Sequence, residues 1–484
     1  MEARLAQLER ENAKLRAKLA ERDERMAELD EEVAERDERI AELETEIARL
    51  RGQTNNSSRN SSKPPSSDTP AQRAARRKKP RSGRKPGGQP GHEGHQRELL
   101  PPEKVTRSRD RFPKRCCGCR AALDPVSHGE PIRHQTIEVP KIEPDVTENR
   151  LHAVLCEECG AVTRARLPRG VPRGMCGPNL MALITLIVGS YELSRRQAVS
   201  FFGDVLGVRI SLGTLSKVEG RAAEMLGPAH QEAATLVKRA RAKHADATGW
   251  RLKGAGRTLW VIASKLATVF HIVADGSRDE FRKLVGTLGV LITDRGSQFG
   301  FWAMEKRQVC WAHLIRKFLA FSEHADPRAA ELGETLLLLS QTLLHMWHKV
   351  RDGPMSRANF QDAVARLQPV FESHLARGVE LRLEGVSGSC KNMLKHADAL
   401  WTFAYVRGVE PTNNHGEQQL RRFVLWRKKC FGSQSDRGER FAERVMTVVH
   451  TLRKQNRHVL SFLRDTFAAS LRNQPLPSLM PGNP

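Results

Sequence analysis

The 484-residue sequence predicts a multidomain chain: an N-terminal parallel coiled coil, a zinc-ribbon-like module, a helical region and an α/β core interrupted by a helical insertion. Three observations carry this. A heptad runs through the first 52 residues, two C-x2-C pairs follow a Pro- and Gly-rich basic stretch, and between 240 and 294 the apolar period switches from that of a helix to that of strands. The length alone asks for more than one core.

In residues 1–52, Leu5, Asn12, Leu19, Met26, Val33, Ile40 and Ile47 occupy a positions, and Leu8, Leu15, Arg22, Leu29, Arg36, Leu43 and Leu50 occupy d. Asn12 at a favours two parallel, in-register strands, because two buried amides satisfy each other only where they meet. Opposite-sign g-to-e pairs such as Glu11 with Arg16 and Lys18 with Asp23 agree, so a homodimer is expected. A long solvated helix is the alternative reading. Residues 53–105 read as a disordered basic linker. Over 53–100, eleven Lys and Arg, including Arg76, Arg77, Lys78 and Lys79, stand against Asp68, Glu93 and Glu98. That excess suits non-specific phosphate contact, although a solvated linker with no partner has the same composition.

The 80 Lys and Arg against 56 Asp and Glu leave a net charge of +24, which points to a polyanion, with nucleic acid first. No run approaches the roughly 20 apolar residues of a membrane span, no secretory signal precedes the charged N-terminus, and nine cysteines are too few for a disulfide scaffold. An intracellular, reducing compartment is expected.

Residues 106–172 hold Cys116 and Cys119, then, about 35 residues later, Cys156 and Cys159. Two such knuckles can deliver four thiolates to one tetrahedral structural Zn²⁺, and the alternating TIEVPKI between them reads as ribbon strand. Four free thiols are the alternative. Over 173–238 the pattern is helical. An amphipathic helix, a turn at Gly207 and a second helix capped by Ser211 fit a helix-turn-helix for DNA, or an ordinary helical pair.

Residues 239–450 carry the core. KHADATGW, RTLWVIAS, ATVFHIVAD and GVLITD read as strands, with the helix-like SRDEFRKLVGTL before the last. Three strands, a helix and a strand is the order that opens a ribonuclease-H-like domain, and it sets one acid on the first strand beside one at the end of the fourth. Here these are Asp246 and Asp294, although each alone fits a turn residue. Glu417 in PTNNHGEQQLRR would complete a set of hard oxygen ligands for two Mg²⁺ ions (or Mn²⁺) roughly 4 Å apart. Its competing reading is a capping box with Asn414. Arg421, Arg422, Arg427, Lys428 and Lys429 follow on the same helix as candidate DNA contacts, or as a solvated face. Cys310 and His313 have C-x2-H spacing, but with no second pair nearby they read as a buried strand end rather than as ligands. Leucine-rich segments over about 314–410 form the helical insertion, and 451–484 a C-terminal helix and tail.

HADATGWRL, VLITDRGSQF, RQVCWAHLIRKF and PTNNHGEQQLRR, preceded by NSSKPPSSD, GGQPGHEGH and the knuckles, resemble the transposases of insertion sequence family 66 over nearly the whole chain. Ala247 and Gly416 depart from the family's usual acidic residue and alanine. The resemblance implies a DDE-type transposase with its triad on Asp246, Asp294 and Glu417. Such an enzyme binds the ends of its own element, hydrolyses the 3′ strand ends and joins them to target DNA. It also implies a cytoplasmic bacterial protein acting at the chromosome, with small accessory proteins as further partners. A catalytically inactive DNA-binding repressor and a nuclease that cuts without joining are the other readings.

Overall fold

The computed structural model describes residues 97–480 continuously, with isolated positions between 14 and 72. The described positions from Lys14 to Arg39 are helical, and Met26 and Val33 of the heptad are exposed. The remaining a positions, together with Arg76, Arg77, Lys78 and Lys79, lie outside the described residues.

The cysteine module forms its knuckles but not its expected ribbon. In each knuckle the first cysteine's N–H donates to a carbonyl five residues on, Cys116 to Ala121 and Cys156 to Ala161, both at 2.9 Å. A hairpin of β1 (Ala153–Leu155) and β2 (Val162–Arg164) flanks the second, and a single bridge from Arg115 to Ala122 flanks the first. The TIEVPKI stretch is not a strand: Ile137, Val139 and Ile142 are exposed and their backbone joins no sheet. Alternation makes a strand only where a partner edge and a buried face exist.

Helices α1 (Pro178–Gly189), α2 (Arg195–Leu206), α3 (Leu212–Met225) and α4 (Gly227–Lys238) follow. Their signals are local. Ser194 and Gln197 close a capping box on α2, Gly207 ends it at φ 64°, and Ser211 caps α3, as the sequence predicts for a helix-turn-helix outline. Arg195 ties α2 to Glu219 of α3 at 2.5 Å.

The core is a five-stranded sheet ordered β5-β4-β3-β6-β7. Strands β3 (Ala242–Leu252), β4 (Ala255–Ala263) and β5 (Thr268–Val273) are antiparallel, followed by helix α5 (Arg278–Val285). Strands β6 (Val290–Thr293) and β7 (Arg307–Val309) run parallel to β3. Both faces are covered, which is why β4 reads as an unbroken apolar run. Trp260 and Ile262 pack with Phe281 and Val285 of α5 on one face. Leu259 and Val261 pack on the other with Leu420 and Phe423 of α11 (Asn414–Cys430) and with Ala442 and Met446 of α12 (Asp436–Lys454).

Between β7 and α11 stands the helical insertion: α6 (Trp311–Ser322), α7 (Pro327–Asp352), α8 (Arg357–Glu380), α9 (Ser387–Leu394) and α10 (Thr402–Tyr405). It has its own aromatic core of Trp311, Phe318, Phe371 and Trp401, continuous with Val290, Ile292 and Val309 of the sheet. The boundary expected at 450 falls inside α12. That helix and α13 (Val459–Arg472) share one core with α1–α4, through Val445, Val448, Phe462 and Leu463 against Ile184 and Leu215. The helical region and the C-terminus are therefore one packed unit. Among the described residues no helix is long and apolar enough to cross a membrane.

Candidate active site

Asp246 and Asp294 are brought together by register. In the parallel pair of β3 and β6, Ala242 faces Val290 and His244 faces Ile292, so two residues further on Asp246 lies level with Asp294, just past the end of β6. Parallel neighbours keep their carboxyl ends on one side, where loops converge. Asp294 Oδ1 accepts the Gly296 N–H at 2.9 Å, which fixes its turn. The buried Arg307 of β7 donates to the Asp294 carbonyl at 2.7 Å from behind.

Glu417 arrives from helix α11, about 120 residues later, and Asn413 sets its place. The Asn413 side chain donates to the Ala245 carbonyl at 2.9 Å and pairs through Oδ1 with His244 Nδ1 at 3.2 Å. Its backbone N–H donates to Cys310 Sγ at 3.1 Å, and its carbonyl receives the Glu417 N–H at 3.1 Å. Thus the capping box expected between Asn414 and Glu417 does not form. The N-cap is Asn413, its side chain is spent on β3, and Asn414 is an exposed first residue of the helix. The approach is close: a Cβ at Gly416 would meet Asn413 Oδ1 at 2.8 Å and His244 Cβ at 3.2 Å.

Asp246 feels both of the other carboxylates. Burial, then the charges of Glu417 and Asp294, push the Asp246 carboxyl up to about 7 against the opposing Ala247 N–H and Arg316. Cys310 and His313, read from the sequence as a buried strand end, do follow β7, but the fold also delivers Glu417 to them. Cys310 Sγ, a His313 ring nitrogen and a Glu417 oxygen lie within 4.8 Å of one another, and among the described residues they are the group so placed for a metal ion. Glu417 Oε1 and His313 Nδ1 stand 3.6 Å apart, both buried and without a hydrogen-bond partner. Burial, and then Arg316, lowers the His313 pKa. Burial holds the Cys310 thiol up at about 11.

The four knuckle cysteines are not gathered into such a group, because the strands expected to carry one knuckle onto the other are not formed. Each knuckle is nonetheless prepared for anionic sulfur. Backbone amides of Cys119 and Gly118 lower the Cys116 pKa, and those of Cys159 and Glu158 lower that of Cys156.

The cations of α11 divide by surroundings. Arg421, Arg422, Lys428 and Lys429 are exposed, whereas Arg427 is half-buried and donates to Thr248 Oγ1 at 3.0 Å and to the Gly249 carbonyl of β3. Arg422 reaches the Ser190 carbonyl at 3.3 Å and Lys429 the Glu192 carboxylate at 3.2 Å, so both also tie α11 to the turn after α1.

Comparison with known proteins agrees with this architecture. Residues 1–98 match a family of unknown function, DUF6444. An uncharacterized protein, y4hP, of Sinorhizobium fredii (strain NBRC 101917 / NGR234) is 23% identical over 393 residues, covering 74% of this chain and 70% of that protein. The Transposase IS66 family model matches residues 173–440, a span that holds the sheet, all three carboxylates and the whole helical insertion, and the chain belongs to that family.

Proposed function

We propose that this transposase works by DDE chemistry on a ribonuclease-H-like core, with Asp246, Asp294 and Glu417 as its metal-binding carboxylates. The observation that supports this most is that Asp246 of β3 lies level with Asp294 at the carboxyl end of β6, where burial and then the charges of Glu417 and Asp294 hold Asp246 up at about 7. The donor set fits divalent cations: hard oxygens, one of them the partnerless Glu417 Oε1, whose mutual repulsion a cation relieves. Two bound Mg²⁺ or Mn²⁺ ions would supply charge neutralisation at the attacking and leaving oxygens of phosphoryl transfer.

The chain's own part is placement. Asn413 and Arg307 hold the two carboxylate-bearing segments, and Arg316 adds a positive charge near enough to act on Asp246. The proposed substrates are the ends of the element. Water would cleave the 3′ strand ends, and the freed hydroxyls would then be joined to target DNA. The exposed cations of α11, the α2–α3 pair and the basic linker with Arg76, Arg77, Lys78 and Lys79 are proposed as the DNA-contacting surfaces. Residues 1–52 are proposed to pair two copies, Cys116, Cys119, Cys156 and Cys159 to share one structural zinc, and the bacterial cytoplasm to be the site of action, with accessory proteins of the element as further partners.

A strand-transfer assay with labelled element ends, target DNA and Mg²⁺ tests the reading. Joined products from wild type, absent with Asp246→Asn, support it. Binding without cleavage identifies a repressor instead, and cleavage without joining a nuclease.

A further inference from the structure

We propose that His313 is a nitrogen ligand of the divalent cation held by Glu417, giving this centre a mixed carboxylate and imidazole set that favours Mn²⁺ over Mg²⁺. The inference rests on the carboxylate site proposed above and adds a residue and a metal preference to it.

The geometry is that of two ligands facing a gap. His313 lies in the first turn of α6, anchored through the Trp311 N–H to the Pro411 carbonyl at 3.0 Å, and Glu417 lies in the first turn of α11. Each turn is therefore fixed relative to the other by the Pro411–Asn413 segment. Across this fixed gap His313 Nδ1 and Glu417 Oε1 are 3.6 Å apart, beyond the ~3.2 Å limit of an N–H···O bond. Both atoms are buried and neither has another partner. With the ring proton on Nε2, two buried lone pairs face each other, an arrangement that costs free energy until a cation, a proton on Nδ1 or a metal ion, lies between them. A divalent cation held there would take one ligand atom from each residue.

Cys310, the third member of the group, serves differently. Its buried sulfur accepts the Asn413 N–H at 3.1 Å, so it braces the loop that carries Glu417. For Mg²⁺ or Mn²⁺ soft sulfur is the poorer ligand, which leaves one imidazole and the carboxylates. Imidazole nitrogen binds Mn²⁺ more readily than Mg²⁺, which holds to oxygen.

The test is pulsed electron paramagnetic resonance of the full-length protein loaded with Mn²⁺ alone. Wild type is expected to show ¹⁴N modulation from a directly bound nitrogen, which changes to the ¹⁵N pattern in protein labelled with ¹⁵N-histidine and disappears in His313→Asn. The Mn²⁺ affinity of that variant should fall about tenfold, with a smaller change for Mg²⁺. If His313→Asn does not fold by thermal denaturation, the isotope exchange in wild type still decides whether histidine is bound, and His313→Gln replaces it. Glu417-dependent Mn²⁺ binding without nitrogen modulation would overturn the inference while leaving the carboxylate site standing. Loss of nitrogen modulation in His244→Asn but not in His313→Asn would also overturn it. Mn²⁺ binding unaffected by Glu417→Gln would remove the carboxylate site, and the inference with it.

Discussion

Asn413 donates from Nδ2 to the carbonyl of Ala245, at 2.9 Å, across 168 residues of sequence. Ala245 precedes Asp246 and Asn413 is the N-cap residue of the helix that carries Glu417, so this amide ties the strand of Asp246 to the helix of Glu417. Asn413→Ala leaves a buried carbonyl without its donor, a loss of roughly 1–3 kcal/mol. Thermal denaturation should show the lower stability. End cleavage should fall further than that loss explains, with DNA binding retained, because an ångström of misplacement weakens positioned groups disproportionately. Cleavage at the wild-type rate would mean that the loop is held by its other bonds.

The α11 cations should separate into two classes. Arg421 and Lys428 are exposed, and neutralising either should flatten the dependence of log affinity for DNA on log salt by about 0.9 for each phosphate that the side chain had neutralised, with stability unchanged. Arg427 is bound to Thr248 and Gly249 of β3, so Arg427→Ala should lower the melting temperature and alter the salt slope little. The opposite pattern would move the DNA surface away from the exposed edge of α11.

Glu443 of α12 provides a pH signature of packing. Burial pushes its carboxyl up to about 7, against the Ile272 N–H that it accepts. A raised carboxylate pKa means that the folded state holds its proton longer than the unfolded chain. Its stabilising share is then complete below the unfolded value near 4.5 and is lost as pH rises through about 7. Glu443→Gln keeps an acceptor for Ile272 and removes the buried charge. The variant should be more stable than wild type at pH 8, by about 3 kcal/mol at most, and equal to it near pH 4.5. An advantage that is the same at both pH values would show that packing, not ionisation, is responsible.

The zinc proposal has a direct measurement. Elemental analysis of protein purified without chelator should find one zinc per chain, and Cys156→Ser should lose it and loosen the 106–172 module. Absence of zinc would leave two independent knuckles, each as it stands around Cys116 and Cys156.

What could be read from sequence follows from how local each signal is. The capping of α2 and α3 by Ser194 and Ser211 and the strands around Trp260 carry their determinants within a few residues. Asp246 and Asp294 were legible as a pair because strand order alone places them level. Glu417 stands out in PTNNHGEQQLRR as a candidate third carboxylate, with a capping box as its rival, and only the resemblance joins it to the pair, since the helical insertion separates it from Asp294 and no periodicity spans such a gap. Asn413 was not legible beside Ala245, and the C-x2-H spacing of Cys310 and His313 reads as a strand end, because the partners Ala245 and Glu417 are 168 and 104 positions away and asparagine before a helix reads as a cap wherever it occurs. The strand expected at TIEVPKI failed for the complementary reason. Alternation records a tendency to bury one face, and Ile137 and Val139 find no face to bury against.

Glu417→Gln is the substitution on which the catalytic reading turns. The N-cap belongs to Asn413 and the Glu417 side chain does not close a capping box, so its replacement removes no helix-capping bond. Its Oε1 is buried and partnerless, and an amide there is no worse solvated than a carboxylate. Stability should therefore be kept or slightly raised in the metal-free protein. Binding to element ends should persist, because the exposed cations proposed to contact DNA are untouched. Cleavage and strand transfer should collapse by several orders of magnitude, since a hard anionic oxygen has left the metal site. Asp246→Asn and Asp294→Asn should do the same, and the three losses should not add, because the carboxylates act as one unit. Mn²⁺ should restore part of the Glu417→Gln activity, as it accepts mixed ligands more readily than Mg²⁺. Near wild-type cleavage by Glu417→Gln, with Mg²⁺ as the only divalent ion, would remove Glu417 from the catalytic set and leave Asp246 and Asp294 in need of a different third carboxylate.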